Sequence, residues 1–138
     1  MREGFLFSGM RIRPGIYIQQ TEKKGNGVFT KNALPAGTIV EVSPVIVMTA
    51  DERKLLDQTL LHDYIFEWQP GGEDLCCVAQ GYISVYNHSE NANCEYFMNY
   101  KNKAISIKTT RDIAAGEELT VNYNGDWNNK EPVWFNAV

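Results

Sequence analysis

The sequence predicts a mostly-β domain of short strands gathered in small sheets, with one helix inserted near residues 51–62. Three observations lead there. Apolar stretches are short and rich in β-branched and aromatic residues, which suit a pleated, half-buried surface. Gly, Pro and Asn separate them, residues that break or turn the chain. And a single segment exchanges the period of a strand for that of a helix.

Taken in order, Ile16-Tyr-Ile18, Gly27-Val-Phe-Thr30 and Thr38-Ile-Val-Glu-Val42 read as strands, and Val45-Ile-Val-Met48 as a further strand after Pro44. Thr49-Ala-Asp-Glu52 then has the spacing of a capping box, a side chain at each end satisfying the other's free backbone N–H. Leu55, Leu56, Thr59, Leu60 and Asp63 follow at helical intervals, which predicts a helix from about Asp51 to His62. Strands resume with Tyr64–Trp68, the turn Gln69–Glu73 and Leu75–Val78. Glu95–Tyr100 and Ala104–Lys108 flank Lys101-Asn-Lys103 and read as a hairpin. Leu119–Tyr123 is the last strand, and a polar tail from Asn124 carries Trp127, Trp134 and Phe135. Asn32–Gly37 and Arg111–Gly116 echo each other: each has an apolar residue three before a glycine, then a strand, which predicts two turns with the glycine at positive φ.

A chain of 138 residues with 43% hydrophobic and 22% charged residues has room for one core and one domain. The net charge of −4 argues against a nucleic-acid binder, which would show a basic face, and is compatible with a basic peptide partner. Cys76, Cys77 and Cys94 are odd in number, and two are neighbours that rarely bridge, so free thiols are expected. Neither a CxxC nor a nearby pair of histidines supplies zinc-ligand spacing, and no metal is expected. The apolar run at the start is short and broken for a signal peptide, and nothing approaches a membrane span; a cytoplasmic protein is expected.

Three short segments carry candidate chemistry. The pair in Gly25-Asn26-Gly27 lets backbone approach a ligand closely, although a hairpin turn uses glycines the same way. Asn87-His88-Ser89 concentrates amide, imidazole and hydroxyl groups beside Val85 and Tyr86. Adjacent residues rarely reach each other as nucleophile and base, so a hydrogen-bonded turn is the plain reading. Tyr123 ends a strand after Gly116-Glu-Glu-Leu, a place for a core or rim tyrosine or for a phenol that holds an amine.

Their order and spacing say more than any one of them. Gly25-x-Gly27-Val28-Phe, Asn87-His88-Ser-x-x-x-Asn93-Cys and Gly116-Glu-Glu-Leu-x-x-x-Tyr123 resemble the SET-domain methyltransferases over about residues 15–126, nearly the whole chain. Asp63–Trp68 and the short chain are similar to the small SET proteins of bacteria and viruses. The resemblance implies a single SET domain of β-clip fold, with a core at about 15–126, an aromatic tail at 127–138 and a pseudoknot. It also implies transfer of a methyl group from S-adenosylmethionine, leaving S-adenosylhomocysteine, to a lysine side chain of a protein such as a histone or histone-like basic protein. Gly25, Asn26, Gly27 and Val28 would cradle the cofactor, and the backbone of Asn87 and His88 would meet its adenine. Tyr123 would sit near the transferring methyl, with Tyr64 and Tyr96 as further phenols of the lysine channel. Such a site works by alignment, water exclusion and oriented dipoles.

The chain departs from the family pattern in several places. Ala92 stands where a proline commonly precedes Asn93, Glu90 stands where a cysteine often follows Asn-His-Ser, and the cysteine-rich zinc module of many eukaryotic members is missing. Trp127, Trp134 and Phe135 are then the candidates to close the site, with Trp134 stacking on the adenine. Small Val121 and bulky Tyr96 point in opposite directions for the number of methyls added. The rival reading is a catalytically weak SET-like module that binds a peptide or the cofactor. Exposed strand edges leave room for a homodimer.

Overall fold

Ten strands in two sheets order the described part of the chain, residues 10–123 of this computed structural model. In chain order they are β1 (Arg11–Ile12), β2 (Ile16–Gln20), β3 (Asn26–Thr30), β4 (Ile39–Met48), β5 (Ile65–Trp68), β6 (Leu75–Ala79), β7 (Asn87–His88), β8 (Cys94–Asn99), β9 (Ala104–Thr109) and β10 (Glu118–Val121), with helix α1 (Ala50–Leu56) after β4. The larger sheet runs β5-β6-β4-β9-β8, with β1 also against β4, and the smaller runs β2-β3-β10-β7. The mostly-β expectation holds, and so does the hairpin of β8 and β9, whose turn places Lys103 at φ 52°.

Several elements differ from expectation: the last strand ends at Val121, short of Tyr123, and Asn87-His88, read as a turn, is the short strand β7. The strands predicted on either side of Pro44 are one, β4, which pairs with β9 as far as Pro44 and with β6 from Val45 onward. Proline lacks an N–H but keeps its carbonyl, and that oxygen accepts from the Gln80 amide at 3.1 Å, so the strand changes partners there instead of ending. The helix predicted over 51–62 stops at Leu56, and a 3-10 turn, Leu60–Tyr64, follows it. Thr59 makes the break. Its hydroxyl donates to the Leu56 carbonyl at 2.7 Å and accepts from the Leu61 amide at 3.2 Å, so one side chain closes the first helix and caps the next. The capping box of Thr49 and Glu52 forms as its spacing predicts.

The two echoing segments meet. Leu34 and Ile113 exchange both backbone hydrogen bonds, at 2.9 and 2.8 Å, and Gly37 and Gly116 take φ of 80° and 84°. One apolar core spans both sheets, with Val28, Tyr86, Cys94, Ile105 and Leu119 among its buried members. All three cysteines are buried and free, and burial pushes the Cys77 and Cys94 thiols up to about 12, so both stay protonated. No helix of the described residues is long and apolar enough to cross a membrane.

Candidate active site

Strand β10 brings the three sequence motifs side by side. On one edge it pairs antiparallel with β3, Leu119 opposite Val28; on the other it pairs parallel with β7, Val121 opposite His88. The Ser89 amide continues that ladder to the Val121 carbonyl at 3.0 Å. Asn93 then stitches the chain after β7 to β10. Its Nδ2 donates to the Glu118 carbonyl at 2.8 Å and to Glu117 Oε2 at 3.0 Å, while its Oδ1 accepts from the Thr120 amide at 2.8 Å. A buried amide with its hydrogen-bonding groups occupied is a rigid splice.

The glycine segment spans the turn into β3: Gly25 ends the turn, and Asn26 and Gly27 open the strand. Gly25, at φ +71°, offers its carbonyl to the Thr21 amide and hydroxyl at 2.6 and 2.8 Å. Gly27 permits the closest approach: a Cβ there would lie 2.5 Å from Glu118 Oε2 and 2.9 Å from Asn87 Nδ2. Those two atoms are bonded to each other at 2.8 Å, and Asn87 Nδ2 also donates to the Asn26 carbonyl at 3.1 Å. Lys24 closes the arrangement, its ammonium donating to the His88 carbonyl at 2.9 Å. Gly25 and Asn26 are exposed beside these groups, while Val28 is fully buried in β3, an inner strand of its sheet. The result is a shallow cradle with the exposed Gly25 and Asn26 on one side, a half-buried cation at Lys24 and an anion at Glu118.

Tyr123 lies just past β10, fixed at both ends. Its amide donates to His88 Nδ1 at 3.0 Å, and its hydroxyl donates to the Tyr86 carbonyl at 2.8 Å. A lone pair on Nδ1 requires that nitrogen to be unprotonated, and burial, then the charge of Lys24, lowers the His88 pKa accordingly. Burial, reinforced by the neighbouring Tyr64, Glu118 and Tyr96 groups, pushes the Tyr123 phenol up to about 12. Tyr123 is thus a proton donor to a carbonyl throughout the physiological range, and not a base.

The Tyr123 ring borders a cavity of about 540 Å³ that Tyr64, Phe66, Tyr86 and Tyr96 also line. Tyr96 is half-buried and edge-on to Phe66, with centroids 5.7 Å apart, and its phenol is raised by burial. Tyr64 ends the 3-10 turn at the rim, 45% exposed. Acidic Asp63 and Glu67 line the same cavity. The structure therefore gathers Tyr64, Tyr96 and Tyr123 at one cavity, and Gly25, Asn26, Gly27, Asn87 and His88 at the adjoining cradle. Trp134, with Trp127 and Phe135, lies outside the described residues. Among the described residues no cluster of His, Cys, Asp and Glu is placed to hold a metal.

Several contributors escaped sequence reasoning. Lys24 immediately precedes the glycine segment and Glu118 stands inside Gly116-Glu-Glu-Leu, but neither carries a signal of its own. Glu41 is the larger omission: 1% exposed, it accepts from Tyr86 Oη at 2.7 Å, Ser43 Oγ at 2.6 Å and the Tyr82 amide at 2.8 Å. A glutamate and a serine two apart in an otherwise apolar strand share one face, and that pattern was the available sign of a buried polar site.

Known proteins resemble this chain in sequence and fold. The SET domain family model matches residues 25–124. A Schizosaccharomyces pombe histone-lysine N-methyltransferase specific for H3 lysine 37 is 34% identical over 125 residues, covering 90% of this chain and 79% of that protein. A Cryptococcus neoformans histone-lysine N-methyltransferase specific for H3 lysine 36 is 34% identical over 114 residues, which span 77% of this chain but 14% of that longer protein. Among solved structures, a Plasmodium falciparum protein described as a histone methyltransferase superposes with a TM-score of 0.63 at 25% identity, over 84% of this chain and 98% of that one.

Proposed function

This chain belongs to the SET domain family of protein-lysine methyltransferases, and on that premise we propose that it methylates the side-chain amine of a histone lysine with S-adenosylmethionine as donor. The observation that carries the reading is Tyr123, held between the Tyr86 carbonyl and the His88 imidazole while bordering the cavity of Tyr64 and Tyr96.

The cradle's donor set fits the cofactor. The backbone of the exposed Gly25 and Asn26 would meet its methionine end, Lys24 supplies positive charge for a carboxylate, and β7 presents main-chain groups for the adenine. Val28 would serve from its buried place in β3. S-adenosylmethionine, when bound, supplies a methyl group activated on a sulfonium.

The chain's own residues prepare the amine. Free lysine titrates near ~10.4, and entry into a cavity walled by aromatic rings disfavours its charged form. No base is required of the protein, which is consistent with a Tyr123 phenol that keeps its proton. Tyr64 and Tyr96 offer apolar faces to the lysine stem and polar rims to its amine, and the rings exclude water from the reacting atoms. Tyr123 and the Tyr86 carbonyl form a dipole pair at the cavity, oriented before the substrate arrives. Asp63 and Glu67 at the cavity favour a lysine with basic neighbours, as in a histone tail.

Calorimetry with S-adenosylhomocysteine and transfer of labelled methyl to recombinant histone H3 test the reading together. Saturable binding with labelling of H3 is expected. Binding without labelling of any histone would point to a binding module, and no binding would overturn the cofactor assignment.

A further inference from the structure

We propose that Glu41 is a positioning residue for methyl transfer: it clamps the two ends of the Tyr82–Tyr86 turn and so fixes the carbonyl that receives the Tyr123 hydroxyl. The inference rests on the function proposed above.

The turn is a short 3-10 segment, Ile83–Val85, between β6 and β7, and Tyr82 at its start has no side-chain cap. Such a turn has little rigidity of its own. Glu41 supplies it from β4. One carboxylate oxygen, Oε2, accepts the Tyr82 amide at 2.8 Å at the start of the turn. The other, Oε1, accepts the Tyr86 phenol at 2.7 Å at its end. Glu41 and Tyr86 are each about 1% exposed, so the bond between them does not compete with water, and the Tyr82 bond is part-buried. Gly81, at φ +65°, admits the carboxylate: a Cβ there would collide with Ser43 Oγ and Glu41 Oε2. The Tyr86 carbonyl, at the clamped end, is the acceptor of the Tyr123 hydroxyl at 2.8 Å. Glu41 thereby connects the centre of the larger sheet to the phenol at the cavity.

Ser43 provides an internal control. It donates to the same carboxylate at 2.6 Å but does not belong to the turn. Ser43→Ala and Tyr86→Phe each remove one donor from Glu41, and only the second releases the turn. A structural role makes the two variants alike; a positioning role separates them.

The test compares both variants in single-turnover methyl transfer to histone H3, alone and in the Tyr123→Phe background. Tyr86→Phe should lower the rate about tenfold or more with cofactor affinity unchanged, as loss of alignment does, and Ser43→Ala should stay within about twofold. In the Tyr123→Phe background Tyr86→Phe should add nothing, because the hydroxyl it aligns is gone. Equal losses in the two variants, or a Tyr86→Phe loss that persists in full without the Tyr123 hydroxyl, would overturn the proposal. A second reading needs no turnover. With 13C-labelled tyrosine, the Tyr123 Cζ resonance should move in Tyr86→Phe and hold in Ser43→Ala; a resonance unmoved in both would also overturn it. Inactivity of the unaltered enzyme towards histones would instead count against the assigned reaction, leaving the clamp to be judged by the resonance.

Discussion

At the residue scale the site depends on protonation states and on one missing side chain. His88 accepts the Tyr123 amide through Nδ1, and its pKa lies below the ordinary 6.5. Between the two values the native chain binds fewer protons than the unfolded one. Stability contributed there is complete above the unfolded value and is lost as pH falls through it towards the native one. The melting temperature should therefore decline below about pH 6.5, and His88→Asn, which keeps an acceptor near the Nδ1 position without titrating, should flatten that decline; an unchanged pH profile would separate His88 from it. Gly27→Ala would push a methyl group into the Asn87–Glu118 bond. It should weaken S-adenosylhomocysteine binding about tenfold, a cost of about 1.4 kcal/mol, by calorimetry. These residues were legible unevenly. Tyr123, Asn87, His88 and the glycines stand in short motifs whose order carries the signal, whereas Glu41 and Tyr86 contribute through partners forty-five residues apart in sequence, a pairing visible only in the folded chain.

At the scale of elements, β10 organises the site because both of its edges are paired, to β3 and to β7. Asn93 secures that arrangement through bonds to the backbone of Glu118 and Thr120. Asn93→Ala leaves the Thr120 amide and the Glu118 carbonyl without this partner, which should cost about 3 kcal/mol in urea unfolding; a cost near zero would show that β10 holds without the splice. The strands were readable because short β-branched and aromatic runs between turn residues mark them, as in β2, β8 and β9. Two boundaries were not. Pro44 reads locally as a strand end, yet its carbonyl keeps a partner across the sheet, and Thr59 fits a helical face although its hydroxyl diverts the backbone bonds at that point. In each case the competing interaction is a hydrogen bond that periodicity does not register.

For the whole molecule, two sheets bring the Gly25–Gly27 segment and a phenol-lined cavity together around Tyr123, the arrangement proposed above to hold the cofactor and the lysine. A ligand bound only by the native fold stabilises it, so S-adenosylhomocysteine at about 100 times its Kd should add about 2.7 kcal/mol and raise the melting temperature by several degrees; an unmoved transition would deny the cradle its ligand. The most direct measurement is mass spectrometry of histone H3 after incubation with S-adenosylmethionine and either the natural chain or Tyr123→Phe. Methyl groups should appear on lysine side chains with the natural chain, and about 10²-fold more slowly with the variant, which keeps the ring but loses the aligned hydroxyl. Equal methylation by both proteins, or methyl groups on residues other than lysine, would contradict it.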